Sequence, residues 1–479
     1  MSRTQEERLK SAANGKHPIS RHNIVALLNR YDQPGPRYTS YPTAVEFQDN
    51  FPVSEYETRL QAANHQTETP LSIYIHLPFC ESRCLFCGCH VIISPHKNRT
   101  RPYLDLLRRE FAMVAARLPK RRTFAQLHLG GGTPTYFSPK ELTTLIQDLT
   151  VFFQPVSNAE LAVEVDPRVT TIDHIDALAD VGFNRLSMGV QDLTPEVQEA
   201  VNRVQPQAQA AYLAAAARRR GFKGINMDLI YGLPKQTPET FERTVDAVID
   251  MGADRAAVYS FAYVPWLHGQ QKQLSEAAFP DRHTKFLLFA VARERFLNAG
   301  YEPIGMDHFA RPEDELSLAK KEGRLRRNFQ GYTVISSEDV IGFGISAIGD
   351  LQKTFVQNTK KLSHYRKFLE ADQLPVARGY LCSTDDRIRR EVIQQLMCNF
   401  QVYFAAIEQQ FDICFRDYFA VDLARLKSYA DEGLVEMTEH YIKALPLGEL
   451  FIRNLAMCFD RYWREKHEKE ARQLFSRTV

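Results

Sequence analysis

From about residue 71 the chain alternates between short apolar runs and longer amphipathic stretches. The runs LSIYIHL, AQLHLGGG, LAVEVDP, NRLSMGVQD, INMDLIYGLP and RAAVYSFAY are rich in β-branched or aromatic residues and read as strands. Between them PYLDLLRREFAMVAARL, PKELTTLIQDLTVFF and QTPETFERTVDAVIDMG carry apolar residues at helical spacing. Strands alternating with helices of this length imply right-handed crossovers and a parallel sheet. Six such units predict an α/β fold, a partial (β/α)6 barrel or an open curved sheet. Both place their chemistry at the carboxyl ends of the strands. The unusual residues fall at those ends: Cys80 after the first strand, the glycines at 130–132 after the second, and Glu164 and Asp166 at the third. Gln191 ends the fourth, Asp228 closes the fifth and Ala262 the sixth. All converge on one rim.

The flanks read differently. Residues 1–60 are polar and irregular, and YDQPGPRYTSYPTAVEF at residues 31–47 predicts an extended arm lying on something else. Residues 61–365 form the barrel unit. From 366 to 479 the pattern is mainly helical: DDRIRREVIQQLMCNF and LARLKSYADEGLVEM are amphipathic, with Gly433 expected just past a helix end. LVEM and YIKAL suggest a hairpin, and LGELFIRNLAMCFDRYWREK a following helix, so this part resembles a winged helix. With a formal net charge of +2 it reads as a cap on the barrel, and no nucleic-acid binding is expected.

The first eighteen residues hold no apolar core for a secretory signal, and no stretch approaches the roughly 18 apolar residues that span a bilayer. The expectation is a cytoplasmic protein with no membrane partner, in a reducing compartment that disfavours disulfides. That bears on PFCESRCLFCGCH (residues 78–90), which holds four of the eight cysteines. Cys382, Cys398, Cys414 and Cys458 are scattered among apolar residues and read as core. Structural zinc usually takes two separated cysteine pairs. Here Cys80, Cys84, Cys87 and Cys89 lie on one loop with no second pair, which suits an iron–sulfur cluster better.

The spacing C-x-x-x-C-x-x-C after the first strand resembles the radical S-adenosylmethionine (SAM) superfamily. The resemblance makes Cys80, Cys84 and Cys87 the three ligands of a 4Fe–4S cluster whose fourth iron binds SAM and cleaves it to a 5′-deoxyadenosyl radical. LHLGGGTPT (residues 127–135) supports it, because glycines without Cβ admit a ligand close to the backbone.

Longer matches, GPRYTSYPTA, YIHLPFC, CLFCGCH, HLGGGTPTY, EVDPR, FNRLSMGVQD, DLIYGLPKQTPE, GMDHFARPEDEL and RNFQGYT, resemble the oxygen-independent coproporphyrinogen III oxidase family over most of the chain. The resemblance implies oxidative decarboxylation of two propionates of coproporphyrinogen III to vinyl groups, a step of haem biosynthesis. It implies two SAM molecules per chain. Tyr74, Gly131, Glu164 and Ile348 would surround the one on the cluster. Phe86, Gly132, Thr133, Gln191, Arg203, Asp228 and Ala262 would hold the second. Tyr74 and Gln330 join the three cysteines as catalytic candidates. Arg37, Arg311, Arg327 and His308 are candidate partners for the substrate carboxylates, and His76 shares a strand face with Tyr74. Cys89 has no ligand role in this scheme. An electron donor such as a flavodoxin or ferredoxin is implied, with the chain a monomer. A haem-binding chaperone or a haem-modifying paralogue on the same scaffold is the rival reading.

Overall fold

The computed structural model describes residues 21–335, 339–467 and 475–478. The N-terminal eighteen-residue stretch read above for a signal therefore lies wholly outside the described residues. The six expected strands are present: β1 (Leu71–Leu77), β2 (Thr123–Gly131), β3 (Gln154–Val165), β4 (Arg185–Gln191), β5 (Gly224–Tyr231) and β6 (Arg255–Ser260). They pair in sequence order and in parallel. The crossover helices begin where side-chain caps permit it. Ser138, Thr171 and Thr237 each accept from the backbone N–H three residues on, which satisfies a donor the helix leaves unpaired. Large side chains of β1–β6 and their helices form the principal core.

Among the described residues the sheet extends past the six strands on both sides, to thirteen in all. Val340–Phe343 adds in parallel beside β1, followed by the antiparallel strands Ile348–Leu351, Thr354–Asn358, Val376–Leu381 and, at the edge, Gln48–Asp49. On the far side, His308–Ala310 and Glu302–Ile304 add antiparallel to β6. The two edge strands do not pair with each other, so the barrel stays open. Most of these added strands have five residues or fewer, too short to show a period in the sequence.

Of the arm expected to be extended over residues 31–47, Tyr31 instead ends a helix (Arg21–Tyr31) and Ala44–Glu46 forms a 3-10 turn; the stretch between them is extended and lies on the C-terminal part. Tyr38 and Tyr41 are buried in that part's core. Arg453 donates to the carbonyls of Pro36 (3.0 Å) and Arg477 (2.8 Å), and also bonds that of Gly35. A helix at Val53–Ala63 follows the arm and was not foreseen.

Among the described residues the C-terminal part has helices at Thr384–Asn399 and Ala420–Asp431 and a small sheet of Gln401–Tyr403, Tyr441–Ala444 and Val435–Met437. Gly433 has φ +72° and terminates its helix as predicted. The expected single helix over LGELFIRNLAMCFDRYWREK is instead broken into Pro446–Glu449, Ile452–Met457 and Trp463–His467. Asp460 explains the second break, because its carboxylate accepts from Trp463 N at 2.9 Å and starts a new turn. Cys414 is exposed, against expectation, whereas Cys382, Cys398 and Cys458 are buried and their thiols are pushed up to about 12 by burial.

Candidate active site

The cysteine loop is pinned at its base. Phe79–Cys80 pairs in parallel with Ile92–Ile93, and Ile92 N donates to Pro78 O at 2.7 Å. The glycine run beside it carries the loop from below: Gly132 N donates to Leu77 O (2.8 Å) and Thr133 N to Phe79 O (2.9 Å). A Cβ on Gly132 would stand 2.6 Å from the Pro78 carbonyl carbon, and one on Gly131 (φ +114°) 2.5 Å from the His76 ring. The glycines are therefore required for loop support as well as for ligand approach. Thr133 Oγ1 lies 3.4 Å from Cys80 Sγ.

Cys84 is held by charge. Arg168 Nη2 and Arg203 Nη1 approach its sulfur at 3.3 and 3.5 Å. Asp166 binds both arginines, Arg203 Nη1 at 2.8 Å and Arg168 Nη2 at 2.7 Å. Burial alone pushes the Asp166 carboxyl up, yet the two guanidinium groups hold it below the usual carboxylate range. Arg203 also donates to Gly189 O at 2.7 Å. It is therefore a buried brace. The brace role of Asp166 and Arg168 was missed, although EVDPR at the end of a strand was the signal.

Cys89 has a structural partner. Its backbone N–H donates to Cys87 Sγ at 3.4 Å. The Cys89 thiol's hydrogen bond to the same sulfur pulls Cys87 down to about 7 and pushes Cys89 well above its ordinary value. Burial pushes Cys80 up to about 11. Among the described residues no three His, Cys, Asp or Glu side chains close on a single ion. Thiols bound to different corners of an iron–sulfur cubane stand further apart than the ligands of one ion. Three thiols on one loop, two flanking guanidinium groups and an adjoining cavity fit such a cluster.

That cavity has a volume of ≈ 470 Å³, within the size of small-molecule sites. Tyr74, Gly131, Glu164, Gln330 and Ile348 line it together with Cys89 and His76. Glu164 accepts from Gly131 N (3.2 Å) and His128 Nε2 (3.1 Å), and these bonds outweigh burial to keep its carboxyl below the usual range. Burial takes His76 down to about 4, so the ring is neutral. Its Nε2 donates to His90 O at 2.9 Å, and Nδ1 accepts from the Tyr74 hydroxyl at 3.1 Å.

A smaller chamber of ≈ 140 Å³ adjoins, sharing His128, Glu164, Asn328 and Gln330 as walls. Both amide atoms of Gln330 are buried without a hydrogen-bond partner among the described residues. Asp228 lines this chamber from the middle of β5, not from its end as expected. Burial raises its carboxyl to about 6 against bonds from Asn226 Nδ2 (2.8 Å) and Ser187 Oγ (3.1 Å). Phe86 and Ala262 meet through Gln271, whose Nε2 donates to both carbonyls at 3.3 and 3.1 Å. Gln191 (φ +66°) sits beside Gly189 and Arg203. The residues expected for a second SAM thus fall on two flanks of the cysteine loop, with Asp228 apart.

Of the candidate carboxylate partners, His308 lines the smaller chamber, its Nδ1 2.7 Å from Asp307. None of the three arginines lines either chamber. Arg37 donates to Ser260 O (2.6 Å) beside a separate cavity of ≈ 40 Å³, Arg311 lies over the Tyr301 ring, and Arg327 is buried behind Tyr332.

The chain matches the family model of the radical SAM superfamily over residues 74–248 and that of the HemN C-terminal domain over residues 382–451. A curated relative from Escherichia coli (strain K12), named oxygen-independent coproporphyrinogen III oxidase, is 43% identical over 455 residues, covering 95% of this chain and 98% of the relative. A relative of the same name from Synechocystis sp. is 41% identical over 457 residues, covering 95% and 97%. The solved structure of coproporphyrinogen III oxidase (HemN) from Escherichia coli, described as a radical SAM enzyme, superposes with a TM-score of 0.87 at 42% identity. It covers 91% of this chain and 98% of its own.

Proposed function

The chain belongs to the oxygen-independent coproporphyrinogen III oxidase family, and on that premise we propose that it converts two propionates of coproporphyrinogen III to vinyl groups, giving protoporphyrinogen IX without oxygen. The observation that carries the reading is one cavity lined by Tyr74, Gly131, Glu164, Gln330 and Ile348, opening beside the loop of Cys80, Cys84 and Cys87. A 4Fe–4S cluster with SAM would supply a carbon-centred radical able to take hydrogen from a propionate β-carbon, which no side-chain base deprotonates.

The chain's own residues hold and orient. Cys80, Cys84 and Cys87 would bind the cluster, with Arg168 and Arg203 offsetting thiolate charge at Cys84. The ionised Glu164 presents carboxylate oxygens to ribose hydroxyls. Tyr74 is fixed by His76, and its half-buried ring would shape the adenosine side. Gln330 offers an unpaired donor and acceptor at the wall between the chambers, suited to a polar group of the substrate. A second SAM would draw on Phe86, Gly132, Thr133, Gln191, Arg203, Asp228 and Ala262. His308 in the smaller chamber is a donor for a propionate.

Among the described residues no helix is long and apolar enough to cross a membrane. We read the protein as a cytoplasmic monomer that takes electrons from a flavodoxin or ferredoxin. Anaerobic incubation with coproporphyrinogen III, SAM and a chemical reductant tests the proposal. Protoporphyrinogen with two carbon dioxide per turnover is expected. Absence of conversion by cluster-loaded protein, with stoichiometric haem binding instead, overturns it.

A further inference from the structure

A cluster that cleaves SAM must receive an electron from outside the chain, and the scattered cysteines elsewhere offer no second centre. The structure indicates where it enters. Residues 261–274 lie directly on the cysteine loop: Gln270 Nε2 donates to Cys87 O at 2.6 Å and Gln271 Nε2 to Phe86 O at 3.3 Å. The segment is self-braced, with Val264 N on Gln271 Oε1 (2.6 Å) and Leu267 N and His268 N on Val264 O (2.9 and 3.0 Å). At its outer turn Trp266 is 54% and Leu267 59% exposed.

The opposite flank repeats the pattern. Leu85 N donates to Val201 O at 3.0 Å and Asn202 Nδ2 to Arg83 O at 2.9 Å, and two residues on Val204 is 63% exposed. Single exposed apolar residues are ordinary. Three on the two segments that clasp the loop of Cys84 and Cys87, including a tryptophan, mark a contact face. The charge around them is mainly basic. Lys272 and Lys360 are exposed, Arg83 is half-buried, and Lys360 and Arg83 both act on His268. Of the nearby acids, Glu81 is met by Lys97 at 3.7 Å and Glu276 accepts from the Tyr263 hydroxyl at 2.9 Å.

We propose that this face, centred on Trp266 and Leu267 and ringed by Arg83, Lys272 and Lys360, docks a small acidic one-electron carrier for delivery to the cluster. The inference rests on the function proposed above. An apolar centre excludes water from the contact, and complementary charge steers a transient partner without requiring a large interface.

The test reads cluster reduction without substrate. Cluster-loaded protein is mixed with reduced flavodoxin or, separately, with dithionite, and bleaching of the cluster absorbance is followed by stopped flow. Carrier binding to immobilised protein is measured across a salt series. Trp266→Ala with Leu267→Ser, and separately Lys272→Glu, are compared with Val421→Ser, a control at an exposed site (62%) in the C-terminal part. The first two are expected to slow carrier-driven reduction by about tenfold, with dithionite reduction unchanged. Lys272→Glu is also expected to flatten the salt dependence of binding, and the control to match wild type. Equal carrier rates in all four proteins overturn the proposal. So does reduction of wild type by dithionite but not by flavodoxin or a ferredoxin. So too does finding that the face instead mediates self-association or binding to anionic vesicles, lost in the variants. Failure to convert coproporphyrinogen while these rates behave as stated would overturn the function and leave the docking face standing.

Discussion

Asp166→Asn tests the electrostatic brace under Cys84. Asp166 and Arg203 are each 7% exposed, and Asp166 binds Arg203 at 2.8 Å and Arg168 at 2.7 Å. Neutralising the carboxylate leaves two guanidinium groups whose other acceptors are the Gly189 carbonyl and the Cys84 sulfur. Removing one partner of a buried pair costs about 3–5 kcal/mol, and asparagine retains an oxygen, so we expect about 3 kcal/mol. That is roughly a hundredfold in the folding equilibrium. Asp372→Asn is the comparison: Asp372 meets Arg109 at the same 2.8 Å but the two side chains are 80% and 42% exposed. An exposed pair contributes below about 1 kcal/mol. Guanidinium unfolding of the cluster-free proteins measures both. The paired carboxyl titrates below its unfolded value, so its contribution is present above the unfolded pKa and is lost as pH falls through the folded one. The gap between wild type and Asp166→Asn should therefore be level from about pH 8 to pH 5 and shrink only below about pH 4. With cluster loaded, iron should leave to a chelator faster in Asp166→Asn. Coincident midpoints for Asp166→Asn and Asp372→Asn would refute the reasoning.

Three further outcomes follow from the site. Gly132→Ala should lower iron incorporation several-fold with the circular dichroism of the protein retained, since its Cβ meets the Pro78 carbonyl carbon at 2.6 Å. Cys87→Ser should abolish cluster absorbance, whereas Cys89→Ser should keep the full iron content, because Cys89 acts on the Cys87 sulfur and is not expected to bind iron. Asp228→Asn should gain stability relative to wild type as pH rises from about 4 to about 6. A carboxyl raised to about 6 by burial keeps its proton in the folded state through that window, so the wild type loses stability across it. Denaturant midpoints at pH 4 and pH 7 measure the difference.

Much was legible because its cause is local. Short apolar runs alternating with amphipathic helices announce a parallel sheet, since parallel neighbours need a crossover helix between them. The cysteine spacing and the glycine run lie in one short segment each, so their chemistry survives without the fold. Tyr74, Gly131, Glu164 and Ile348 were named by resemblance, and the structure lines one cavity with them.

What the sequence by itself determined, then, is the barrel, its active rim and the loop that carries the thiols, because period and spacing are properties of adjacent residues. Only the tertiary structure decided the rest. Strands of two to six residues joined the sheet on both edges by pairing with neighbours, some distant in the chain, and Asp460 broke a helix that periodicity predicted whole. Arg168 and Arg203, far apart in sequence, met at Asp166 to brace Cys84. Cys89 gained a partner in Cys87, and the arginines expected around the substrate turned instead to carbonyls and rings. A charge has no period, so its partner is set by which residues the fold brings within a few ångströms, and that is known only once the chain is folded.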